Sequence, residues 1–210
     1  MGDNFNEGTP HQRPVHTVYL DAYKISRYEL TFDQYDRFCD DTGRSKPGDH
    51  WGRGNQAVIN VSWNDAKAFC DWLSQKTGKD IHLPTEAQWE KAARGTDQRR
   101  YPWGNSSPDC SKANYKPCGT GTKPVGSHPL GVSPYGVHDM AGNVIEWCSD
   151  WYSSDYYSNS PSNNPTGPSS GTNRVRRGGH FATPADYLCS SGRDHGNPSD
   201  SASALGFRLA

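Results

Sequence analysis

The sequence lacks the features that mark several large classes of protein. Its 210 residues carry a formal net charge of −1 and contain no run of like charge longer than three residues. This argues against a nucleic-acid-binding arm and against a patch for anionic membranes. No apolar stretch approaches the length of a bilayer span, so no membrane insertion is expected. The six cysteines include no CxxC pair, which argues against a thiolate zinc site.

Hydrophobic residues are also scarce, at 32% of the chain, a proportion that disordered proteins share. The aromatic content argues against disorder, because seven Trp, eleven Tyr and six Phe are far too many for a disordered chain. The 22 Gly and 15 Pro residues favour turns and irregular segments. Together these features predict a loop-rich folded protein whose core relies on aromatic side chains.

Three capping-box patterns predict helix starts, at Thr31, Ser62 and Thr85. In each, a Ser or Thr is followed three residues later by Gln or Asp, so that side chains satisfy amides that the first turn leaves unpaired. Apolar residues follow each start at helical spacing. Gly95 comes directly after Arg94, so the third helix is predicted to be short.

Strand signals are brief, and they lie at His16–Tyr23, Val144–Cys148 and Arg174–Arg177. Irregular stretches separate the predicted elements, at 44–57, 96–135 and 153–173. The stretch 153–173 has a linker-like composition, and one interpretation is a domain boundary there. The 37 residues that follow it are too few and too polar to form a core of their own. We therefore predict one α+β domain over residues 1–210, with short strands and about three helices.

Several motifs resemble those of the sulfatase-modifying-factor family, which includes the formylglycine-generating enzymes. In chain order they are RPVHTVYLDAY (13–23), YELT (28–31), VSWNDA (61–66), LPTEAQWE (83–90), YPWGN (101–105), YGVHDMAGNVIEW (135–147), RGG (177–179) and GFR (206–208). The match covers nearly the whole chain in the family's order, which is far more specific than one short pattern. The resemblance implies an irregular α+β fold of the C-type-lectin type, in agreement with the loop-rich composition.

The resemblance also implies an activity for which this chain lacks the residues. Family enzymes convert a substrate cysteine to formylglycine with copper held by two cysteines that follow the Arg-Gly-Gly motif, and two soft thiolates select Cu(I). The corresponding positions fall near Pro184 or Ala185 and some residues before, and none is Cys; Cys189 stands alone. A second branch of the fold uses iron held by histidines, but the eight His here show no metal-ligand spacing. We therefore predict no enzymatic activity.

The segment 182–204 lacks five residue types. Lys, Glu, Gln, Met and Trp make up 29 of the 210 residues, so about three are expected in this segment, yet none occurs. These are the five types that a codon ending in a fixed C cannot encode. The composition resembles the variable region of diversity-generating-retroelement proteins, a subgroup with this fold and the same Gly-Phe-Arg tail. In that subgroup asparagine codons of a template are randomised. The alternative is an ordinary loop of small residues.

The resemblance to that subgroup divides the C-terminal region, about 180–204 and its flanks, into two sets. Framework candidates are Arg177, Gly178, Gly179, Phe181, Ser190, Ser191, Arg193, Pro198, Leu205, Gly206, Phe207 and Arg208. Variable candidates, which are the predicted ligand-binding residues, are Ala182, Thr183, Pro184, Asp186, Tyr187, Gly192, Asp194, His195, Gly196, Asn197, Asp200, Ser201, Ala202, Ser203 and Ala204. An exposed Tyr187 would be a natural contact residue.

Family enzymes bind calcium around the motif that here reads GNVIEW. By position, the resemblance implies ligands from the carboxylates of Asp139 and Glu146 and from the backbone carbonyls of Gly142 and Val144. Mixed oxygen ligands suit a structural Ca²⁺ ion. The alternative is that Glu146 pairs with an Arg or with a backbone amide.

Cys110 and Cys118 lie close together in a polar loop, and two interpretations of them stay open. They form a disulfide, or they are two reduced loop thiols. A disulfide would favour the cell surface, the extracellular space or a virion over the cytoplasm.

The sequence thus predicts a non-catalytic protein that displays a diversified C-terminal surface and requires no cofactor. The expected partner is a protein or another cell-surface ligand, since loops on a stable scaffold tolerate arbitrary side chains. One alternative is a sulfatase-modifying-type enzyme that oxidises cysteine to formylglycine with copper. The other is an inactive homologue with a fixed partner.

Overall fold

Four helices are present in the computed structural model, which describes residues 1–210. They are α1 (Phe32–Thr42), α2 (Trp63–Thr77), α3 (Glu86–Arg94) and the four-residue α4 (Tyr156–Asn159). The first three begin at the predicted caps, each with a complete capping box. Helix α3 is nine residues long and ends at Gly95, which confirms the prediction of a short helix. None of the helices combines the length and the apolar character that crossing a bilayer requires.

A four-stranded mixed sheet joins the middle of the chain to its C-terminal region. Its strands are β1 (Ile145–Trp151), β2 (Arg174–Arg177), β3 (Arg193–Gly196) and β4 (Leu205–Phe207), in the spatial order β3-β2-β1-β4. Strand β2 is antiparallel to both β1 and β3, and β4 runs parallel to β1. The sheet therefore places the GNVIEW, RGG and GFR motifs next to one another.

The strand predicted at His16–Tyr23 is wrong. Side chains of this segment do alternate between more and less exposed positions, as a strand pattern requires. The backbone, however, makes only an isolated bridge between Tyr19 and Asn163, with no ladder of hydrogen bonds. The segment runs over the surface as an extended chain, and Tyr19 is 60% exposed.

Strands β3 and β4 were not predicted, because the segment that forms them is rich in small and polar residues. Their hydrogen-bonding partners are β2 and β1, which come much earlier in the chain, so local sequence carries little of the signal. The strand predicted at Arg174–Arg177 is confirmed, and the one predicted at Val144–Cys148 begins one residue later and extends to Trp151.

The main core is built from aromatic side chains, as the composition predicts. Phe38, Phe69 and Phe207 are buried together, and the rings of Phe69 and Phe207 meet edge to face with centroids 5.7 Å apart. Trp147 of β1 is fully buried and donates its indole N–H to the Val61 carbonyl at 3.2 Å. Burial of such large rings offsets the small number of aliphatic residues.

Candidate ligand-binding groove

A groove with a volume of about 960 Å³ runs along the C-terminal region. One wall is the segment 3–12, which we call the N-terminal wall. The opposite wall comes from residues 176–194, and residues 202–205 complete the floor. Variable candidates that line the groove are Thr183, Asp186, Tyr187, Gly192, Asp194, Ala202 and Ala204. The structure therefore brings seven of the predicted binding residues to one concave surface.

The other variable candidates lie outside the groove. Ala182 and Pro184 are exposed beside it. His195, on β3, stacks on Tyr152 with ring centroids 4.0 Å apart. The rest belong to the end of β3 and to the loop between β3 and β4, and they are Gly196, Asn197, Asp200, Ser201 and Ser203.

Burial separates the framework candidates from the variable candidates. Ten of the twelve framework candidates are buried, and Gly179 and Pro198 are partly exposed. Fourteen of the fifteen variable candidates are exposed or partly exposed, and only Gly196 is buried. A Cβ atom at Gly196 would approach the Arg176 guanidinium to 2.7 Å, and that flexible side-chain end can move. The two sets, which come from the resemblance to the retroelement subgroup, thus differ in burial.

Framework residue Arg193 holds β3 to the core. Its guanidinium donates to both carboxylate oxygens of Glu86, from Nε at 2.7 Å and from Nη2 at 2.9 Å. Its Nη1 donates to the carbonyl of His11 at 2.6 Å, and the guanidinium lies 4.1 Å from the Tyr157 ring centre. Successive side chains of a strand point to opposite faces, so Asp194 points outward, with 49% of its side chain exposed.

Two further arginines fix the neighbouring framework. Arg177 is fully buried, and it donates to Glu90 and to the backbone carbonyl of Gly192. The charge of Arg177 helps to hold the pKa of Glu90 at about 2, against the effect of burial. Arg208 is also fully buried and forms a bidentate pair with Glu146 at 2.6 and 2.7 Å. Such buried, bidentate pairs fix geometry, because an unpaired buried charge is costly.

The loop that carries Tyr187 is supported from below. Residues 185–187 form a short 3-10 turn, and Leu188 after it is fully buried. The amide of Lys116 donates to the carbonyl of Thr183 at 3.1 Å. The loop of Cys110 and Cys118, which form a disulfide, packs in the same cluster as Leu188. The disulfide interpretation is therefore confirmed, and 65% of Tyr187 is exposed as predicted.

The groove does not contain a pair of thiols that fits copper. Cys189 is the one cysteine that lines it. Cys39 and Cys70 are buried in α1 and α2, and Cys148 is fully buried in β1, where burial raises the pKa of its thiol. Two soft thiolates at one point, which copper(I) prefers, are thus not brought together here.

The predicted calcium ligands are Asp139 and Glu146, with the carbonyls of Gly142 and Val144. Both oxygens of Glu146 already accept hydrogen bonds from Arg208, and Oε2 also accepts one from the Trp89 indole at 2.8 Å. In this arrangement Glu146 does not fit a calcium ligand. Asp139 accepts a hydrogen bond from the amide of Gly126 at 2.6 Å, and burial raises its pKa. Calcium binding stays a prediction.

Sequence reasoning missed the N-terminal wall. Phe5, Glu7 and His11 line the groove, yet they lie far from the C-terminal segment along the chain. Their contacts depend on tertiary structure, such as the bond from Arg193 to the His11 carbonyl. A compositional signal of the kind found at 182–204 is missing from residues 3–12, where Glu and Gln both occur.

Comparisons with known sequences match the whole chain. The model of the sulfatase-modifying factor enzyme 1-like domain matches residues 1–210. The formylglycine-generating enzyme of Thermomonospora curvata is 33% identical, and the alignment covers 94% of this chain and 84% of that enzyme. Serine/threonine-protein kinase pkn1 of Chlamydia caviae is 34% identical over 97% of this chain. The chain spans only 35% of the length of that kinase.

Two solved structures share the fold at 29% sequence identity. PvdO from Pseudomonas aeruginosa superposes with a TM-score of 0.90, covering 100% of this chain and 88% of PvdO. Treponema denticola variable protein 1 superposes with a TM-score of 0.82, covering 99% of this chain and 89% of that protein. The chain is thus similar to enzymes and to a variable protein alike.

Proposed function

The chain belongs to the sulfatase-modifying factor enzyme 1-like family, and we propose that it is a non-catalytic member that binds a ligand through a diversified surface. The surface consists of the groove and the exposed loop between β3 and β4. The ligand is a protein or another molecule of a cell surface. In this proposal the chain has the scaffold of the family, and different residues line its groove.

The main support for this proposal is the difference in burial between the framework candidates and the variable candidates. Framework candidates are buried in ten of twelve cases, whereas fourteen of fifteen variable candidates reach the surface. A diversified segment must satisfy this condition, because random side chains at buried positions would leave cavities, clashes or unpaired polar groups. An ordinary loop of small residues does not need to keep the predicted variable positions at the surface. The likeness to Treponema denticola variable protein 1 supports the same function.

The disulfide supports a location outside the reducing cytoplasm. Cys110 and Cys118 are bonded beneath the loop of Tyr187, and such bonds persist in oxidising compartments. We propose the cell surface, the extracellular space or a virion, where a surface ligand would be met.

The identity to formylglycine-generating enzymes favours copper-dependent oxidation of cysteine as a second candidate function. The lack of a second groove cysteine argues against it. The test is oxygen consumption by the copper-treated protein in the presence of a cysteine-containing peptide. We expect no turnover above a protein-free control, and formation of formylglycine in the peptide would overturn the non-catalytic proposal.

Diversification is tested at the level of the gene. The locus is expected to carry a reverse transcriptase and a near-copy of the 3′ end of the gene that differs at adenines. Deep sequencing of related isolates should place substitutions at the exposed variable candidates and leave Arg177, Arg193 and Arg208 unchanged. A locus without these elements and with an invariant 3′ end would leave only a homologue of fixed specificity.

A further inference from the structure

A second cleft lies on a part of the surface that is separate from the groove. Its lining consists of residues 26–31 together with Gln34, Asn55, Val125 and Leu209, and we call it the Arg27 cleft. None of these residues lines the groove or is a variable candidate. The cleft has a volume of about 360 Å³, near the lower end of the range for ligand pockets, which suits a molecule with one small ring.

The backbone around the Arg27 cleft is held by hydrogen bonds between segments that lie far apart in the chain. The amide of Ser26 donates to the Leu209 carbonyl at 2.8 Å, and the amide of Val125 donates to the Asn55 carbonyl at 3.0 Å. Val125 and Leu209 pack against the main core, and Leu30 of the lining belongs to that core. The packed scaffold therefore forms the cleft before any ligand binds.

The aromatic ring of the cleft, Tyr28, is exposed and yet held in place. A Cβ atom at Gly126 would lie 2.7 Å from Cε1 of Tyr28, so the ring rests directly on the Gly126 backbone. The ring of His138 lies against the same side chain, with centroids 4.9 Å apart. Tyr28 is nevertheless 36% exposed, and its hydroxyl makes no hydrogen bond within the chain. A fixed and partly exposed ring offers a flat apolar surface to a ligand.

The exposed charge of the cleft belongs to Arg27, which has no carboxylate partner. Its one side-chain hydrogen bond is a long contact of 3.4 Å from Nη2 to Nε2 of His138. Glu29 is the one carboxylate in the lining, and it is 1% exposed. Its oxygens accept hydrogen bonds from the side-chain amide of Asn143 at 2.5 Å and from the backbone amide of Val144 at 3.2 Å. The cleft thus presents a free guanidinium to solvent and no exposed carboxylate.

Two uncharged amide side chains, Gln34 and Asn55, are exposed in the same lining. Oε1 of Gln34 accepts from the backbone amide of Thr31 at 2.9 Å in the capping box, and its Nε2 has no partner. The side chain of Asn55 makes no hydrogen bond within the chain, since only its backbone carbonyl is engaged. Amide groups that both donate and accept match hydroxyl groups, which also do both.

We propose that the Arg27 cleft binds a hydroxylated carboxylate, the chemistry of a sugar acid, and that it does so independently of the groove. Arg27 pairs with the carboxylate, because a planar guanidinium and a carboxylate match in a bidentate geometry. The amides of Gln34 and Asn55 bond the hydroxyl groups, and the ring of the ligand packs on Tyr28. Each polar part of such a ligand thus meets a side-chain group that lacks a strong partner within the chain.

The test uses D-glucuronate as the probe and D-glucose as its uncharged counterpart, with the dissociation constant taken from a titration of ¹H–¹⁵N chemical shifts. Glucuronate should shift the side-chain amide signals of Gln34 and Asn55 and bind about tenfold more tightly than glucose. Arg27→Gln should weaken glucuronate binding about tenfold and leave glucose binding unchanged. Tyr28→Ala should weaken the binding of both sugars about fivefold.

Matched controls change the same chemical groups elsewhere on the surface. Arg37→Gln and Tyr135→Ala replace exposed residues outside the cleft, and Tyr187→Ala replaces a ring of the groove. All three should leave glucuronate binding unchanged, and the urea midpoints of the cleft variants should match that of the parent. An oligosaccharide with linked glucuronate residues separates the two sources of the ligand. Tighter binding of the oligosaccharide indicates an acidic polysaccharide, and tighter binding of the monosaccharide indicates a free sugar acid.

Three results would overturn the inference. Equal affinities for glucuronate and glucose, or an unchanged affinity in Arg27→Gln, would remove the carboxylate assignment. Preference for a glutamate-containing peptide over glucuronate would assign the cleft to an acidic protein segment. No shift of the Gln34 and Asn55 signals at tens of millimolar glucuronate would remove the site. None of these results bears on the proposed function of the groove, because the variable candidates lie outside the cleft.

Discussion

Replacing Arg193 by alanine should destabilise the protein far more than replacing its neighbour Asp194, although both residues belong to β3. The guanidinium of Arg193 is buried and makes two bonds to Glu86 and one to the His11 carbonyl. Its removal leaves the buried Glu86 carboxylate with only the Tyr157 hydroxyl at 3.3 Å and the more distant Arg177 at 3.7 Å, and breaking a buried pair typically costs about 3–5 kcal/mol. Asp194 is half exposed and pairs with the partly exposed Arg176 at 3.0 Å. Loss of such a pair costs about 0.2–1 kcal/mol.

Urea unfolding followed by tryptophan fluorescence measures both changes, since the chain contains seven Trp residues. With a denaturant dependence of about 2 kcal/mol per molar urea, the midpoint should fall by roughly 1.5–2.5 M for Arg193→Ala. For Asp194→Ala it should fall by less than about 0.5 M.

The control is Arg44→Ala, which removes an exposed arginine whose pair with Asp65 is 3.5 Å long. It should leave the midpoint nearly unchanged. Glu86→Gln tests the same pair from the other side and should destabilise as Arg193→Ala does. Equal midpoint shifts for Arg193→Ala and Asp194→Ala would refute the reasoning, because β3 would then not depend on its inward arginine.

Three further predictions concern pH, the disulfide and calcium. Burial raises the pKa of Asp150 to about 7, so the stability that its protonated carboxyl contributes should be lost as pH rises from about 4 to 7. The unfolding free energies of the parent and of Asp150→Asn should therefore diverge by up to about 4 kcal/mol over that range. Parallel pH profiles of the two proteins would contradict this. Replacing Cys110 and Cys118 by serine should cost about 2.5 kcal/mol through loop entropy, measured by urea unfolding, with the reduced parent protein as a control. For calcium, the protein is first treated with a chelator and calcium is then added. Bound calcium should raise the midpoint of thermal unfolding of the parent protein and not that of Asp139→Asn. An unchanged midpoint of the parent would contradict the calcium prediction.

The helices could be predicted because their signals are local. The caps at Thr31, Ser62 and Thr85 each satisfy backbone groups within three residues, so the pattern and the structure coincide. The segment His16–Tyr23 shows the limit of local reasoning. It has a strand-like alternation, but whether a strand forms depends on a partner that the segment itself does not specify.

The groove could be predicted only in part. Its C-terminal wall left a trace in composition, since residues 182–204 lack five residue types. Its N-terminal wall left no trace, because Phe5, Glu7 and His11 reach the groove through the path of the chain.

Buried arginines hold both ends of the C-terminal segment that is poor in apolar residues. Residues 196–204 contain only Gly, Asn, Pro, Ser, Asp and Ala, so the segment offers little apolar surface whose burial would fix its position. Arg193 before it and Arg208 after it are held in bidentate pairs by Glu86 and Glu146, both of which lie outside the segment. Directional pairs at both ends position the backbone, and the amide of Asn60 holds the loop between them through the carbonyl of Ala202 at 3.0 Å. Under the proposed function, we expect substitutions at the exposed positions of this loop, such as Ser201 and Ala202, to change ligand binding more than folding stability.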